Sequence, residues 1–190
     1  MSGNYPTAQA LCLQAIEVSR GYIGVDRDND QAQVARFLGL FGLPFAEDGT
    51  PVSYCACGVG WAFTHALADL LEVPYDADSA PHVFHGLLPE LIHIYFEPDP
   101  SCGTFVGNLV SRNLFLSGSL AQEDIKPGYI VFFDFPQAGH PDHVEIVVSA
   151  ESDGLHTIGY NTGNEDNANG GAVEPKVRNY GQVFGYGGLY

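Results

Sequence analysis

Apolar residues recur at helical spacing in three segments of the N-terminal half of the chain. The first, residues 7–19, carries Cys12 within its apolar stripe, where we expect a buried small hydrophobe. A second helix is expected to begin within residues 28–30, because short acidic side chains cap helix starts well, and to end before Pro44. A third, from about residue 54 to residue 71, has the pattern of a central helix packed on a sheet.

Strand patterning replaces helical spacing in the C-terminal half of the chain. Residues 128–135, 143–150, 155–160 and 183–189 are rich in β-branched and aromatic residues, and turn sequences such as QAGHPD and ESDG separate the first three. We expect the first two strands to form a hairpin and a tight turn to join the second to the third. Helices followed by antiparallel strands predict an α+β fold.

Residues 75–126, between these halves, contain four prolines among short apolar runs such as LIHIYF. We expect a loop-rich insertion here, with one strand and one short helix. The chain has 190 residues, of which 45% are hydrophobic, and this suits one globular domain spanning residues 1–190.

The charge of the chain argues against two classes of partner. A net charge of −16, from 7 Lys and Arg against 23 Asp and Glu, disfavours binding to nucleic acid or to an anionic membrane, since both need cationic side chains. No apolar run approaches the ~18–20 residues that span a bilayer. The N-terminus has no basic segment followed by an apolar one, so we expect synthesis in the cytoplasm without a secretory signal.

The four cysteines, Cys12, Cys55, Cys57 and Cys102, are expected to be free thiols. Their even number would permit two disulfides, but a chain of this length without an export signal does not need them. Cys55 and Cys57 are also too close in sequence to bridge each other in regular structure. Cys57 lies ~200° around the predicted helix from Cys55, so we interpret it as a packing residue.

Cys55 stands at the start of the third predicted helix, just after a loop that contains glycine and proline. A helix N-terminus carries unpaired N–H groups and a partial positive charge. Both stabilise a thiolate, and the same N–H groups can bind the oxyanion of a tetrahedral intermediate. Many cysteines in this position have only a structural role. The assignment of Cys55 as a nucleophile therefore also requires a base close to it.

Candidates for the base and its orienting partner lie on the predicted strands. His143 opens the second strand, where it can point into a cleft while its neighbours stay in the core; a surface turn histidine fits the same pattern. Asn161 follows 18 residues later, at the far end of the strand predicted to pair beside His143. It could orient the imidazole, or be an ordinary turn residue.

Four blocks of sequence, SYCACGVGWAF, KPGYIVFFDF, PDHVEIVVS and HTIGYNTGN, occur in this order. Together they resemble the CHAP amidases, papain-like peptidoglycan hydrolases related to the NlpC/P60 group. The resemblance implies a papain-like fold with Cys55 as nucleophile, His143 as base and Asn161 as the residue that orients it. Trp61 and Asp142 also match the family pattern, and we interpret them as a core residue and a turn residue.

The chain departs from the family pattern at three places, one of which is Cys57 and Gly58 in place of the usual Ala-Phe after the cysteine. The 88 residues that separate Cys55 from His143 are more than expected, and residues 75–126 carry the excess. Gly159, two residues before Asn161, stands where an acidic residue is common in relatives. The orienting role is therefore assigned to Asn161 alone.

The resemblance implies an amidase or endopeptidase that cuts amide bonds in bacterial peptidoglycan. Such a protein would reach the cell wall after release or delivery, as a phage endolysin or an antibacterial effector, and its delivery partner or immunity protein is unknown. One alternative is a cysteine hydrolase of another amide, such as a protein deamidase or deconjugase. The other is a non-catalytic relative with a binding or structural role.

Metal binding is the remaining chemical option. His82, His85 and His93, or His140 with His143, could ligate zinc, but they lie in proline-rich loop sequence rather than on one helix face. Oxygen ligands for calcium occur without the order of an EF-hand, at Asp142, Glu145, Asp153, Glu165 and Asp166. We expect the site to need neither a metal nor a cofactor.

Overall fold

The computed structural model describes residues 5–47, 50–73, 92–118, 120–163 and 171–190. Over these residues the chain forms four α-helices, a six-stranded antiparallel sheet and a small two-stranded ribbon. The predicted α+β class is therefore confirmed. Within the same residues, no helix combines the length and the apolar character needed to cross a membrane.

The helices are α1 (Ala8–Arg20), α2 (Gln31–Gly39), α3 (Cys55–Leu70) and α4 (Cys102–Ser111). The strands are β1 (Ala46–Glu47), β2 (Thr50–Pro51), β3 (Phe115–Ser117), β4 (Ile130–Phe133), β5 (His143–Glu151), β6 (Gly154–Thr162), β7 (Ala172–Arg178) and β8 (Val183–Gly187). Short 3₁₀ turns cover Gln122–Asp124 and Tyr180–Gln182. The three predicted N-terminal helices and the four predicted strands are all present, with ends that differ from the predictions by at most three residues.

The large sheet has the strand order β3-β8-β4-β5-β6-β7, and each neighbouring pair is antiparallel. The predicted β4–β5 hairpin and the tight β5–β6 turn are both confirmed. Strand β7 was not predicted, and its Pro175 explains why. Proline removes a ladder hydrogen bond and usually argues against a strand, but it is tolerated at a sheet edge, which is where β7 lies.

The predicted insertion at residues 75–126 is described only in part, since residues 74–91 lie outside the described residues. The described part contains α4, β3 and the 3₁₀ turn Gln122–Asp124. Strand β3 pairs with β8 and forms an edge of the large sheet. This part of the segment therefore completes the sheet rather than standing outside it.

Helix α3 is the central element of the fold, as its sequence pattern predicts. Every residue from Cys55 to Ala68 is buried, which is typical of a helix with apolar residues all round. It contacts α1 and α2 as well as strands β5 and β6. The start of α3 is consequently held in place from several directions.

Successive residues of β5 alternate between the two faces of the sheet. Val144 and Ile146 belong to the hydrophobic cluster shared with α3, and Val147 belongs to a smaller cluster on the opposite face. By the same alternation, His143 and Glu145 lie on the face of Val147. Two polar side chains are thus brought side by side within one strand.

Gly58 is a point of close packing between α3 and the sheet, because a Cβ there would overlap the ring of Tyr160. We expect Gly58→Ala to lower the free energy of unfolding by about 1–3 kcal/mol despite the better helix propensity of alanine, as measured by urea denaturation.

Gly107→Ala in α4 is the matched control for that substitution. A Cβ at Gly107 meets no described atom within 4 Å. This change should leave stability unchanged or raise it by up to ~1 kcal/mol. Equal destabilisation by both substitutions would contradict the close contact at Gly58.

Candidate active site

Cys55 is the first residue of α3, as predicted, and the cap before it leaves the helix start open. Tyr54 is the N-cap residue and makes no side-chain capping hydrogen bond within the described chain. By contrast, Thr7 and Ser101 cap α1 and α4 with their hydroxyls. The first-turn N–H groups of α3 are therefore not taken by a capping side chain, and they stabilise negative charge at Cys55.

Tyr54 instead anchors the chain just before the nucleophile. Its side chain is fully buried, and its hydroxyl donates a 2.6 Å hydrogen bond to the backbone carbonyl of Gly171. The guanidinium of Arg27 lies over its ring at 5.5 Å, and the ring of Phe37 stacks against it. These contacts fix the direction in which α3 begins.

His143 is fully buried at the start of β5 and is held by Glu145. Its Nε2 lies 3.0 Å from Oε1 of Glu145. Because an ionised carboxylate only accepts, Nε2 carries the proton in this hydrogen bond. The other ring nitrogen, Nδ1, is buried without a hydrogen bond of good geometry to any described residue, and the Cys55 thiol is the reactive group beside the ring.

Glu145 is itself fully buried, and two side chains besides His143 donate hydrogen bonds to its carboxylate. Arg178 approaches its carboxylate through Nε at 3.2 and 3.3 Å and through Nη2 at 2.5 Å, while Thr157 donates its hydroxyl to Oε2. Nη2 of Arg178 also donates to Thr162 at 2.7 Å. Burial alone would raise the pKa of Glu145, but the hydrogen bonds and charges of His143 and Arg178 lower it to about 2.

Two aromatic rings complete the surroundings of this buried ion pair. The guanidinium of Arg178 lies over Phe133 at 5.7 Å and over Phe135 at 5.1 Å. The Phe135 ring also lies 5.6 Å from the imidazole of His143. The same ring thus packs against both the imidazole and the guanidinium, which limits their movement relative to each other.

The contacts of Cys55 favour a thiolate paired with an imidazolium. The pKa of Cys55 is lowered well below 9.0, first by a hydrogen bond from the Cys102 thiol and then by His143 and Ser53, although burial opposes the change. Burial would lower the pKa of His143, but hydrogen bonds and charge interactions with Cys55 and Glu145 raise it to about 9. Near neutral pH, the ionised form of both groups is therefore the stable one.

Two neighbours contact the Cys55 sulfur directly. The Cys102 sulfur lies 3.9 Å away, and the Ser53 hydroxyl oxygen lies 3.8 Å away. The pKa of Cys102 is strongly raised, first by its hydrogen bond to Cys55 and then by burial, so it stays protonated and can donate. The Cys55 sulfur thus has two potential hydrogen-bond donors within 4 Å, the Ser53 hydroxyl and the Cys102 thiol.

Asn161 lies on the Ser53 side of the nucleophile. Its Nδ2 donates a 2.8 Å hydrogen bond to Ser53 Oγ, and its Oδ1 accepts from Nη2 of Arg27. The expectation that Asn161 orients His143 is corrected, because the partner of the imidazole is Glu145. Since Ser53 accepts from Asn161, its own hydroxyl proton remains available for the Cys55 sulfur.

Backbone geometry explains this correction. Glu145 pairs with Gly159, so the same register continued outward would set Asn161 opposite His143, as the sequence argument assumed. The β6–β7 pairing is irregular between Gly159 and Thr162, and Asn161 adopts a left-handed conformation with φ 57°. An irregularity of this kind re-aims a side chain, and here it directs Asn161 towards Ser53.

Gly159 is explained by the same register. A Cβ at this position would overlap the Glu145 carboxylate. The acidic residue expected near this position of β6 is therefore replaced by a carboxylate that reaches across from β5. The glycine makes the space that this carboxylate occupies.

Other residues assigned from the sequence take structural places. The four cysteines are free and buried, and Cys12 and Cys57 have no exposed surface at all. Trp61 is a core residue, as predicted. Asp142 accepts a 3.1 Å hydrogen bond from the Phe135 backbone N–H, as a turn residue does.

Metal-binding alternatives are described only in part. His82, His85, Glu165 and Asp166 lie outside the described residues. Among the residues that are described, no group of three or more His, Cys, Asp or Glu side chains is arranged to hold a metal ion. Glu145, a candidate calcium ligand in the sequence, is instead engaged with His143 and Arg178.

Two surface cavities of about 420 and 460 Å³ lie beside Arg20 and Val148. The described residues that line them include neither Cys55 nor His143. Their linings contain no cysteine that could act as a nucleophile. The buried Cys55–His143 pair therefore remains the candidate site on chemical grounds, although neither residue lines these two cavities.

None of the protein-family models, curated proteins or solved structures with which the chain was compared matches it. A function is therefore proposed from the geometry of the described residues and from the sequence resemblance.

Cys55 and His143 were predicted from the sequence as a reactive pair, and four residues that surround them were not predicted. Glu145 could have been found from its spacing, because a residue two positions after His143 shares its strand face. Arg178 was not predicted because it lies on β7, a strand that was itself not predicted. Ser53 and Cys102 carried no separate signal, since their roles depend on the position of α3 and α4 relative to each other.

Cys55 should be the thiol most reactive towards iodoacetamide near neutral pH. Its pKa is lowered, whereas burial raises that of Cys12 to about 12, and Cys57 and Cys102 are also strongly raised. Peptide mapping after limiting alkylation at pH 6–7 should find label on Cys55 first. Uniform labelling of the four cysteines would reject a selectively activated thiol.

Glu145→Gln should shift the pH dependence of this alkylation more than Asn161→Ala does. Loss of the carboxylate charge lowers the pKa of His143 from about 9, so the imidazole is less often positively charged. With less positive charge beside it, the pKa of Cys55 rises. The rise of the alkylation rate should therefore move to higher pH, because less thiolate is present at any given lower pH. Asn161 contacts Ser53 rather than the imidazole, so its replacement should give a smaller shift.

Rates measured from pH 4 to pH 10 with native circular dichroism as a folding check would decide between these roles. A profile that is unchanged in Glu145→Gln but displaced in Asn161→Ala would return the orienting role to Asn161.

Proposed function

We propose that the protein is a cysteine hydrolase that cleaves amide bonds in bacterial peptidoglycan, with Cys55 as nucleophile, His143 as general acid and base, and Glu145 as the residue that orients His143. The observation that carries the catalytic part is the buried His143–Glu145 hydrogen bond beside Cys55 at the start of α3, together with the opposite pKa shifts that Cys55 and His143 cause in each other. A nucleophile, a base and an orienting group in this arrangement are the components of covalent acyl transfer.

The reaction would begin with attack of the Cys55 thiolate on the amide carbonyl. The first-turn N–H groups of α3 are positioned to bind the oxyanion that forms. The His143 imidazolium then gives its proton to the leaving amine, and the acyl group remains on sulfur as a thioester. The neutral imidazole next takes a proton from water, which hydrolyses the thioester and restores the thiolate.

Glu145 would contribute in two ways. It accepts a hydrogen bond from the Nε2–H group, which fixes the orientation of the ring and leaves Nδ1 for the reacting groups. Its charge also stabilises the imidazolium, and Arg178 keeps that carboxylate ionised. Asn161 is assigned a positioning role through Ser53 rather than a place in the proton-transfer line.

The arrangement of elements supports a papain-like assignment. The proposed nucleophile opens a central buried helix, and the base lies on a strand of the antiparallel sheet against which that helix packs. This is the arrangement that the resemblance to CHAP and NlpC/P60 hydrolases implies. The four sequence blocks that carry the resemblance supply α3, β4, β5 and β6 of the fold.

The substrate assignment rests on that resemblance, and the proposed setting follows from it. A peptidoglycan amidase or endopeptidase would act on the wall after release from a cell or delivery into one. Peptidoglycan is then the main partner, and a delivery or immunity protein would be a further one.

Cys55→Ala should abolish cleavage of purified peptidoglycan, whereas Cys57→Ala should retain most activity. Removal of the nucleophile eliminates the covalent route, with an expected loss of at least about 10³-fold. Cys57 is fully buried with a raised pKa and contributes packing only. Mass spectrometry of the released fragments measures the rate and also identifies which amide bond is cut.

Inhibitor controls separate thiol chemistry from metal chemistry and from the choice of substrate. Iodoacetamide should stop the reaction and EDTA should leave it unchanged; the opposite pattern would reject the cysteine mechanism. If Cys55 is selectively alkylated but no wall fragment is released, the peptidoglycan assignment fails while the activated thiol stands. A protein deamidase or deconjugase would then be the class to test.

A further inference from the structure

Cys55 and Cys102 face each other from the starts of two different helices. Each is the first residue of its helix, α3 and α4 respectively, and their sulfur atoms are 3.9 Å apart. A disulfide needs a separation of about 2.0 Å, so the two atoms must approach by roughly 2 Å. A rotation of the two side chains about χ1 moves sulfur atoms over that range.

These two thiols also differ from the other two in their access to small reagents. Cys55 is 4% exposed and Cys102 is 8% exposed, whereas Cys12 and Cys57 are both 0% exposed. Any substrate of Cys55 must approach the same sulfur, so a small oxidant can follow the same route. The pair therefore combines proximity with access, and neither Cys12 nor Cys57 offers both.

We propose that Cys55 and Cys102 form a reversible disulfide when the protein meets a hydroperoxide, so that oxidation closes the site and thiols reopen it. Cys102 is then the resolving partner of the nucleophile. This inference goes beyond the proposed hydrolase activity, because the pairing is a property of the two thiols whatever amide Cys55 attacks.

The oxidation proceeds in two steps. The Cys55 thiolate attacks the peroxide oxygen, which breaks the O–O bond; Cys55 becomes a sulfenic acid, and the other oxygen leaves as water after it takes up a proton. The Cys102 sulfur then attacks the sulfenic sulfur. An S–S bond forms, and the Cys102 proton leaves with the hydroxyl as a second water. A dithiol such as dithiothreitol reduces the Cys55–Cys102 disulfide back to two thiols by thiol–disulfide exchange.

The direction of the first step follows from the environments of the two sulfurs. Hydrogen bonds from Cys102 and His143 lower the pKa of Cys55, so its thiolate is the form that meets the oxidant. The pKa of Cys102 is raised, so Cys102 remains a thiol until the sulfenic acid forms beside it. Cys55 is thus oxidised first, and Cys102 is already within reach of the product.

The test treats the full chain with a small excess of hydrogen peroxide at neutral pH. Intact mass spectrometry should show the loss of two hydrogen atoms, the two thiols should disappear from iodoacetamide labelling, and dithiothreitol should restore both signals. Trypsin leaves Cys55 and Cys102 in one peptide, because no Lys or Arg lies between Arg36 and Arg112. Glu-C digestion separates them, since Glu72 and Glu97 lie between.

Matched variants assign the bridge. Cys57→Ala should keep the loss of two hydrogens and the linked Glu-C peptides, which excludes Cys57 as the partner. Cys102→Ser should lose the bridge, and Cys55 should instead gain two or three oxygen atoms as sulfinic or sulfonic acid, which dithiothreitol does not reverse.

Two results would overturn the proposal. One is the same irreversible oxygen addition to Cys55 in the unmodified protein as in Cys102→Ser. The other is a reversible bridge that persists in Cys102→Ser. Both readouts are masses rather than wall hydrolysis, so an inactive protein on peptidoglycan leaves the test intact, and a failed bridge leaves the proposed hydrolase standing.

Discussion

The buried carboxylate of Glu145 is the group on which the candidate site depends. It receives hydrogen bonds from His143, Thr157 and Arg178, which lie on three adjacent strands, β5, β6 and β7. A buried charge is stable only when it is paired and hydrogen-bonded, and removal of one partner from such a pair typically costs about 3–5 kcal/mol. The sheet register and the orientation of the imidazole are therefore linked through one side chain, so a change that displaces β7 also reaches the base.

The nucleophile is held from the opposite direction by the segment after α1. Arg27 packs over Tyr54, donates to Asn161, and joins the start of β7 through a 2.8 Å hydrogen bond from its backbone N–H to Gly171. Ser53 and Asn161 then transmit this anchorage to the Cys55 sulfur. An arginine in a strongly acidic chain thereby connects the helix that bears the thiol to the edge of the sheet.

Local patterns were enough to predict the elements that carry the reacting atoms. Helical spacing located α3 with Cys55 at its start, and strand alternation located β5 with His143 at its start. Contacts between distant segments were not visible in such patterns. Arg178 lies on an edge strand that was not predicted because it contains a proline. The position of the Asn161 side chain was wrong because its left-handed backbone turns that side chain away from His143, which the register sets opposite. The departures thus concern topology and one backbone irregularity rather than the elements on which Cys55 and His143 lie.

The charge separation between Cys55 and His143 has a consequence for the proton balance of folding. Between pH 6.5 and pH 9, the unfolded pair holds one proton, on sulfur, because the ordinary pKa values are 9.0 for the thiol and 6.5 for the imidazole. The folded pair favours the proton on nitrogen, since the pKa of His143 is raised to about 9 and that of Cys55 is lowered. The raised pKa of His143 makes stability fall as pH rises through this interval, whereas the lowered pKa of Cys55 makes stability rise with pH. Folding therefore moves a proton from sulfur to nitrogen, and the two groups change the pH dependence of stability in opposite directions.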